Sequence, residues 1–473
     1  MGSDCSKTAA DTKFITNPRC KMKTWIKSPL RIFTGSGSDA GNGVVISGNS
    51  VEELVATGHQ PKTAVDEVFD ASGWVVIPGL VNTHHHYYQT LTRAVPAALN
   101  KALFPWLKSL YPVWAGLNED MVFKSTQLAC AELLLSGCTT SADHHYLFPE
   151  TARKAMDAQI AALGEIGIRA TVTRGCMSLG EQDGGLPPQE VVQEEEEILR
   201  DCERVIRQYH HRGAGSMMQI ALAPCSPFSV SRHLMSEVAA LARVHGVRLH
   251  THLAETVDES RYCHANFGCT PLQYLESVGW LASDVWLAHG IHFSDDEIQA
   301  LGNAGVGIAH CPTSNMVLGS GICKVREMQD AGSPVGLGVD GSASNDCSNM
   351  IQEVRQALLL QRLQYGPDHF THIDALDMAT RGSSRCLGRT DIGELSPGKM
   401  ADLALFSMDE SRFTGSVDKL AALVLSGAHR ADYVMVNGQW VVQDGNLSHL
   451  DFDQLRHDHR ELSRTLTRVS AAA

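Results

Sequence analysis

With 473 residues, 43% hydrophobic and 19% charged, the chain is long enough for one large domain and a smaller one, and too apolar to be disordered. A formal net charge of -14 argues against a nucleic-acid backbone as partner, and no apolar run is long enough to span a bilayer. The 13 cysteines are scattered without CxxC pairs, and no basic-then-apolar leader opens the chain, so reduced thiols in the cytoplasm are expected.

In chain order, residues 1–21 are polar and irregular, the composition of a tail. Residues 24–74 read as short strands, with Gly35-Ser36-Gly37-Ser38 and Gly41-Asn42-Gly43 as turns. The apolar run Val75-Val76-Ile77-Pro78-Gly79-Leu80-Val81-Asn82-Thr83 then leads into His84-His85-His86. Its β-branched residues predict a buried strand. Helical character follows through Leu135, and strands are expected at 138–142, 168–173, 218–223, 247–251, 285–288, 306–309 and 335–339. Helical segments such as 189–209 and 231–245 separate many of them, and the acidic run Glu194 to Glu197 reads as a solvated helix face. Eight strand–helix units imply parallel strands with helical crossovers, that is, a (β/α)8 TIM barrel with its site at the C-terminal strand ends. From Ile392 strands and glycine turns return at 401–406, 433–436 and 440–442. The expected organisation is a small β-sandwich built from both chain ends (1–74 and 392–473) around a barrel at 75–391.

Chemistry-bearing residues cluster at the strand ends. Side chains two apart on a strand share a face, so His84 and His86 offer a half-site for zinc or iron while His85 points away. The fifth strand reads His250-Thr251-His252, with Glu255 three residues on. His252, nearer the end, is the better ligand, and His250 reads as a packed structural histidine. Glu255 is placed to shuttle protons or is an ordinary solvated carboxylate. His289, ending the sixth strand, is as readily structural as water-orienting. Asp340, leaving the eighth, needs a partner if buried and is otherwise a helix N-cap. His144 and His145 carry no assigned role.

Together these fragments resemble the amidohydrolase superfamily over nearly the whole chain. Pro78 to His84 looks like its strand-one signature, His310-Cys311-Pro312-Thr313-Ser314-Asn315 like its strand-seven motif, and 393–405 like its return to the β domain. The fourth strand lacks the lysine typical of binuclear members, so the resemblance is to the mononuclear deaminase branch. It implies that His84, His86, His252 and Asp340 bind one divalent ion, zinc or alternatively ferrous iron. Glu255 would then be the proton shuttle, and His289 with Asp340 would orient and deprotonate the attacking water.

The implied substrate is a small purine-like molecule. Gln89, five residues after His84, has the spacing of the edge-reading glutamine of guanine deaminases, or is a loop glutamine. The stretches 84–93, Phe104-Pro105-Trp106, Tyr111-Pro112-Val113-Trp114 and 174–180 resemble bacterial 8-oxoguanine deaminases. On that resemblance Trp114 would stack on the purine and Arg174 would meet a carbonyl oxygen. The alternatives are a core aromatic and a salt-bridge partner. The expected reaction is hydrolytic deamination, 8-oxoguanine to urate. Guanine, isocytosine or pterin deamination, s-triazine hydrolysis, or a binding protein without catalysis are the alternatives, and self-association is left open.

Overall fold

The computed structural model describes residues 22–471; the tail expected at 1–21 lies outside them. Eight parallel strands close into a barrel in sequence order. They are β1 (Leu80–Asn82), β2 (Cys138–His145), β3 (Arg169–Cys176), β4 (Met218–Pro224), β5 (Leu249–Leu253), β6 (Val285–His289), β7 (Gly307–His310) and β8 (Val335–Leu337). Each run expected from residue 138 onward becomes one of these strands, shifted by a few residues. Strands β2 and β3 are buried at every position, because one face lines the barrel and the other meets the helices.

The run from Val75 does not form one strand. Trp74–Pro78 pairs antiparallel with Leu403–Ser407 and parallel with Arg31–Ile32, outside the barrel. Only Leu80–Asn82 enters it. The break falls at Pro78-Gly79. A Cβ on Gly79 would lie 2.1 Å from Thr139 Oγ1, so glycine permits this close crossing.

Both chain ends build the β-sandwich. A six-stranded sheet runs Asn446–Leu447, Gln439–Gln443, Tyr433–Val436, Leu403–Ser407, Trp74–Pro78, Arg31–Ile32. A four-stranded sheet, Ser50–Leu54, Gly43–Ser47, Lys23–Lys27, Glu67–Asp70, packs on it through Ile26, Val44 and Ile46 against Val76, Leu403 and Leu405. The last described residues form a helix, Phe452–Ala471, within the segment expected to belong to the β-sandwich. Ser463 Oγ donates to the Leu91 carbonyl at 2.7 Å, and His459 Nε2 lies 3.0 Å from Thr90 Oγ1, so this helix braces the segment Tyr87–Thr92 that carries Gln89.

A buried ion pair ties barrel to sandwich. The Arg169 guanidinium meets both oxygens of Asp402 at 3.0 Å, with the arginine side chain wholly buried and that of Asp402 3% exposed. Arg169 also donates to the carbonyls of Gly215 and Ser216, which leaves its charge fully satisfied only while Asp402 is present. Asp402→Ala should therefore cost about 3–5 kcal/mol by stranding a buried cation. Urea unfolding checks this as a fall in midpoint at unchanged slope; an unaltered midpoint would show the pair to be energetically neutral.

Among the described residues no helix is long and apolar enough to cross a membrane, and every described cysteine is free.

Candidate active site

At the C-terminal mouth of the barrel, hydrogen bonds set the tautomers of four histidines. The Trp286 carbonyl can only accept, so His250 Nδ1, 2.8 Å away, carries the proton and His250 Nε2 accepts. That nitrogen lies 2.8 Å from His84 Nδ1, which must donate, so His84 Nε2 carries a lone pair. The same logic holds for His86, whose Nδ1 donates to the His144 carbonyl at 2.7 Å, and for His252, whose Nδ1 donates to the Cys225 carbonyl at 2.7 Å. The bare Nε2 atoms of His86 and His252 face each other at 3.1 Å. Asp340 Oδ1 stands 3.3 Å from the Nε2 of His84 and of His86.

Lone pairs and a carboxylate repel at such distances, and a proton between them is disfavoured. Burial and the His84 ring hold His86 down to about 3, and burial holds His252 well below the usual imidazole range. A cation would resolve the conflict: His84, His86 and His252 fall in one group able to hold a metal ion, and Asp340 falls in a second with His84 and His289. His144 lies in the same group as His252, its ring stacked on that residue at 4.6 Å; its Nε2 donates to the Ala223 carbonyl, which leaves its Nδ1 bare as well. His250 is thus the residue that orients His84. His85 turns away as expected, its Nε2 2.9 Å from Ser348 Oγ, and His145 Nε2 donates to the Leu147 carbonyl at 2.8 Å.

Beside these donors sit the acid–base candidates. Burial raises the Asp340 carboxyl, but the His84, His289 and His86 rings outweigh it and hold it well below the usual carboxylate range. Its Oδ2 accepts from Ser314 Oγ at 2.6 Å. His289 donates from Nδ1 to Asn315 Oδ1 at 3.0 Å and points Nε2 at Glu255 Oε2, 3.5 Å away, and Asp340 Oδ2, 3.9 Å away. Burial opposes its charge, yet these two carboxylates raise its pKa. Burial pushes Glu255 up to about 7, where it can both hold and release a proton near neutrality. Behind it Glu259 accepts the Glu255 backbone N–H at 3.0 Å. Ala254, His289 and Asp340 all adopt left-handed backbone, with φ of 54°, 70° and 63°, which costs of order 1–3 kcal/mol each. This turn at the end of β5, at the end of β6 and beyond β8 aims the three acid–base side chains into one space.

That space is a narrow cavity of about 30 Å3, small for a ligand pocket. His86, His252, Glu255, His289 and Asp340 line one end; Gln89, Trp106, Tyr111, Tyr146, Cys225 and Phe228 line much of the rest. Gln89 Oε1 accepts from the Ala343 N–H at 3.2 Å, and its side chain also bears on the Tyr88 hydroxyl. A Cβ on Gly341 would collide with this amide at 1.9 Å, so glycine there makes room for it.

Two expected substrate contacts do not reach the cavity. Trp114 is fully buried behind the wall, at the end of the helix Leu103–Trp114. Its Nε1 donates to Thr92 Oγ1 at 3.1 Å and its ring packs edge-on to Tyr88 and Trp106. Arg174 is consumed by structure. It pairs with Asp201 at 2.7 Å, donates to Gln193 and to the Gly175 carbonyl, and lies 3.7 Å over the Phe148 ring. Trp106 takes the aromatic place two turns earlier. The spacing Leu103, Trp106, Leu107, Tyr111 is the signal that could have identified this cavity face. Ser314 and Asn315 were legible only as part of a motif; their roles in holding Asp340 and His289 emerge from the fold.

A profile of the amidohydrolase family matches residues 75–441. The chain is 59% identical to an 8-oxoguanine deaminase of Pseudomonas aeruginosa, over 94% of this chain and 99% of that one. It is 32% identical to an isoxanthopterin deaminase of an unknown prokaryote, over 97% and 99%. Among solved structures, the zinc complex of atrazine chlorohydrolase from Arthrobacter aurescens superposes with a TM-score of 0.87 at 32% identity, covering 93% of this chain and all of that one. With this barrel, these converging donors and these relatives, the chain belongs to the amidohydrolase family.

Proposed function

We propose that this protein is a hydrolytic deaminase of 8-oxoguanine, converting it with water to urate and ammonia. The near full-length identity to the Pseudomonas enzyme carries the substrate, and the convergence of acid–base groups on one cavity supports the chemistry. His84, His86, His252 and Asp340 would hold one divalent ion, zinc by analogy with the zinc-bound relative. When bound, that ion would supply the positive charge that acidifies a water molecule.

The protein's own groups do the rest. His289 and Asp340 orient the water and receive its proton. Glu255, poised near 7, gives a proton to the ring nitrogen beside the amino-bearing carbon and then assists the departing amine. The NH2 of Gln89, which lines the cavity, donates to a ring carbonyl, which fixes the heterocycle's rotation there.

Ammonia release from the zinc-loaded protein tests the assignment against a panel of 8-oxoguanine, guanine, isocytosine, isoxanthopterin and an s-triazine. The highest kcat/KM is expected on 8-oxoguanine. Turnover of the pterin or triazine with none of 8-oxoguanine would replace the substrate. Turnover of nothing, with metal bound, would favour a binding protein.

A further inference from the structure

In 8-oxoguanine the carbon that loses its amine and the C8 carbonyl lie at opposite ends of the fused rings. With the first at the strand ends, beside Glu255 and Asp340, the second would lie among the remaining lining residues, several of which come from the helix Leu103–Trp114. That helix lines the cavity with Leu103, Trp106, Leu107 and Tyr111. The first and third are apolar, and the single donor of Trp106 is taken by the Ala343 carbonyl at 3.2 Å. Tyr111 is different. It is wholly buried, and its hydroxyl has no hydrogen-bond partner among the described residues. Tyr111 lines the cavity together with Cys225 and Glu255, and no described group takes its hydroxyl proton. Burial in these surroundings keeps the phenol protonated, hence a donor.

We infer that Tyr111 is the residue that selects for oxygen at C8, by donating its hydroxyl proton to that carbonyl. The inference rests on the proposed 8-oxopurine substrate. Guanine presents a C–H at C8 and leaves the Tyr111 hydroxyl, already buried, without a partner. Leaving a buried donor unpaired is unfavourable. A site built to hydrogen-bond a substrate group rejects the analogue that lacks it.

The experiment compares wild type and Tyr111→Phe on 8-oxoguanine, guanine and isocytosine, which keeps the reacting ring and lacks the second one. Wild type should prefer 8-oxoguanine over guanine by ~10-fold or more in kcat/KM. In Tyr111→Phe, kcat/KM on 8-oxoguanine should fall by ~10- to 100-fold and the preference over guanine should collapse, with isocytosine within ~3-fold of wild type. The wild-type ratio needs no variant, and isocytosine turnover reports whether the variant folds. An equal fall on all three substrates would make Tyr111 a structural residue and overturn the inference, as would an unchanged preference. If wild type deaminates isocytosine or guanine but not 8-oxoguanine, the substrate assignment itself fails. If wild type prefers 8-oxoguanine and the variant retains that preference, only the role of Tyr111 is lost.

Discussion

Glu255→Gln is expected to lower kcat for ammonia release by about 10^2- to 10^4-fold, the range that a positioned general acid–base contributes. The amide has the volume of the carboxyl and no proton to relay. Packing against His289 survives while the proton donation to the ring nitrogen and the help to the departing amine are lost. Because Glu255 lies outside the proposed ligand set, metal content should be unchanged. The same residue predicts the alkaline limb of the wild-type profile. The form that donates is the protonated one, populated below about 7, so kcat/KM should decline as pH rises through that value. Steady-state ammonia assays with metal analysis of both proteins decide the matter. A variant that keeps wild-type turnover would remove Glu255 from the mechanism.

Removing the metal should have the second large effect, on both activity and stability. Without a cation, three Nε2 lone pairs and the Asp340 carboxylate face one another in a buried space, with His86 and His252 held neutral. A ligand that binds only the folded chain stabilises it by about 4 kcal/mol when present at a thousand times its Kd. Chelator treatment should therefore abolish turnover and lower Tm, and adding zinc back should restore both. His252→Ala should bind little metal and gain nothing from added zinc. Metal-free protein, verified by elemental analysis, that still releases ammonia at the untreated rate would overturn the proposed centre.

The behaviour of single stretches explains which features could be read before folding. His84 and His86 could be paired in advance because alternation along an extended segment is local. His252, Glu255, His289 and Asp340 could be added because the ends of parallel barrel strands converge whatever the loops do. The Val75 run was misjudged because its composition suits either sheet. The choice was made by Leu403–Ser407, more than three hundred residues away, and by the tight fit of Gly79 against Thr139. Trp114 and Arg174 had the right chemistry for a ligand. Their partners Thr92 and Asp201 were invisible without coordinates.

By itself, then, the amino-acid order determined the barrel, which follows from periodicity within short segments, and put candidate residues at its mouth, whose roles came from the family resemblance. Tertiary structure alone decided which nitrogen of each histidine is bare, because that depends on the carbonyls of Trp286, His144 and Cys225. It also decided that Trp106 and Tyr111, not Trp114, line the cavity, because the direction of a helix across a barrel mouth is set by long-range packing that no local pattern encodes.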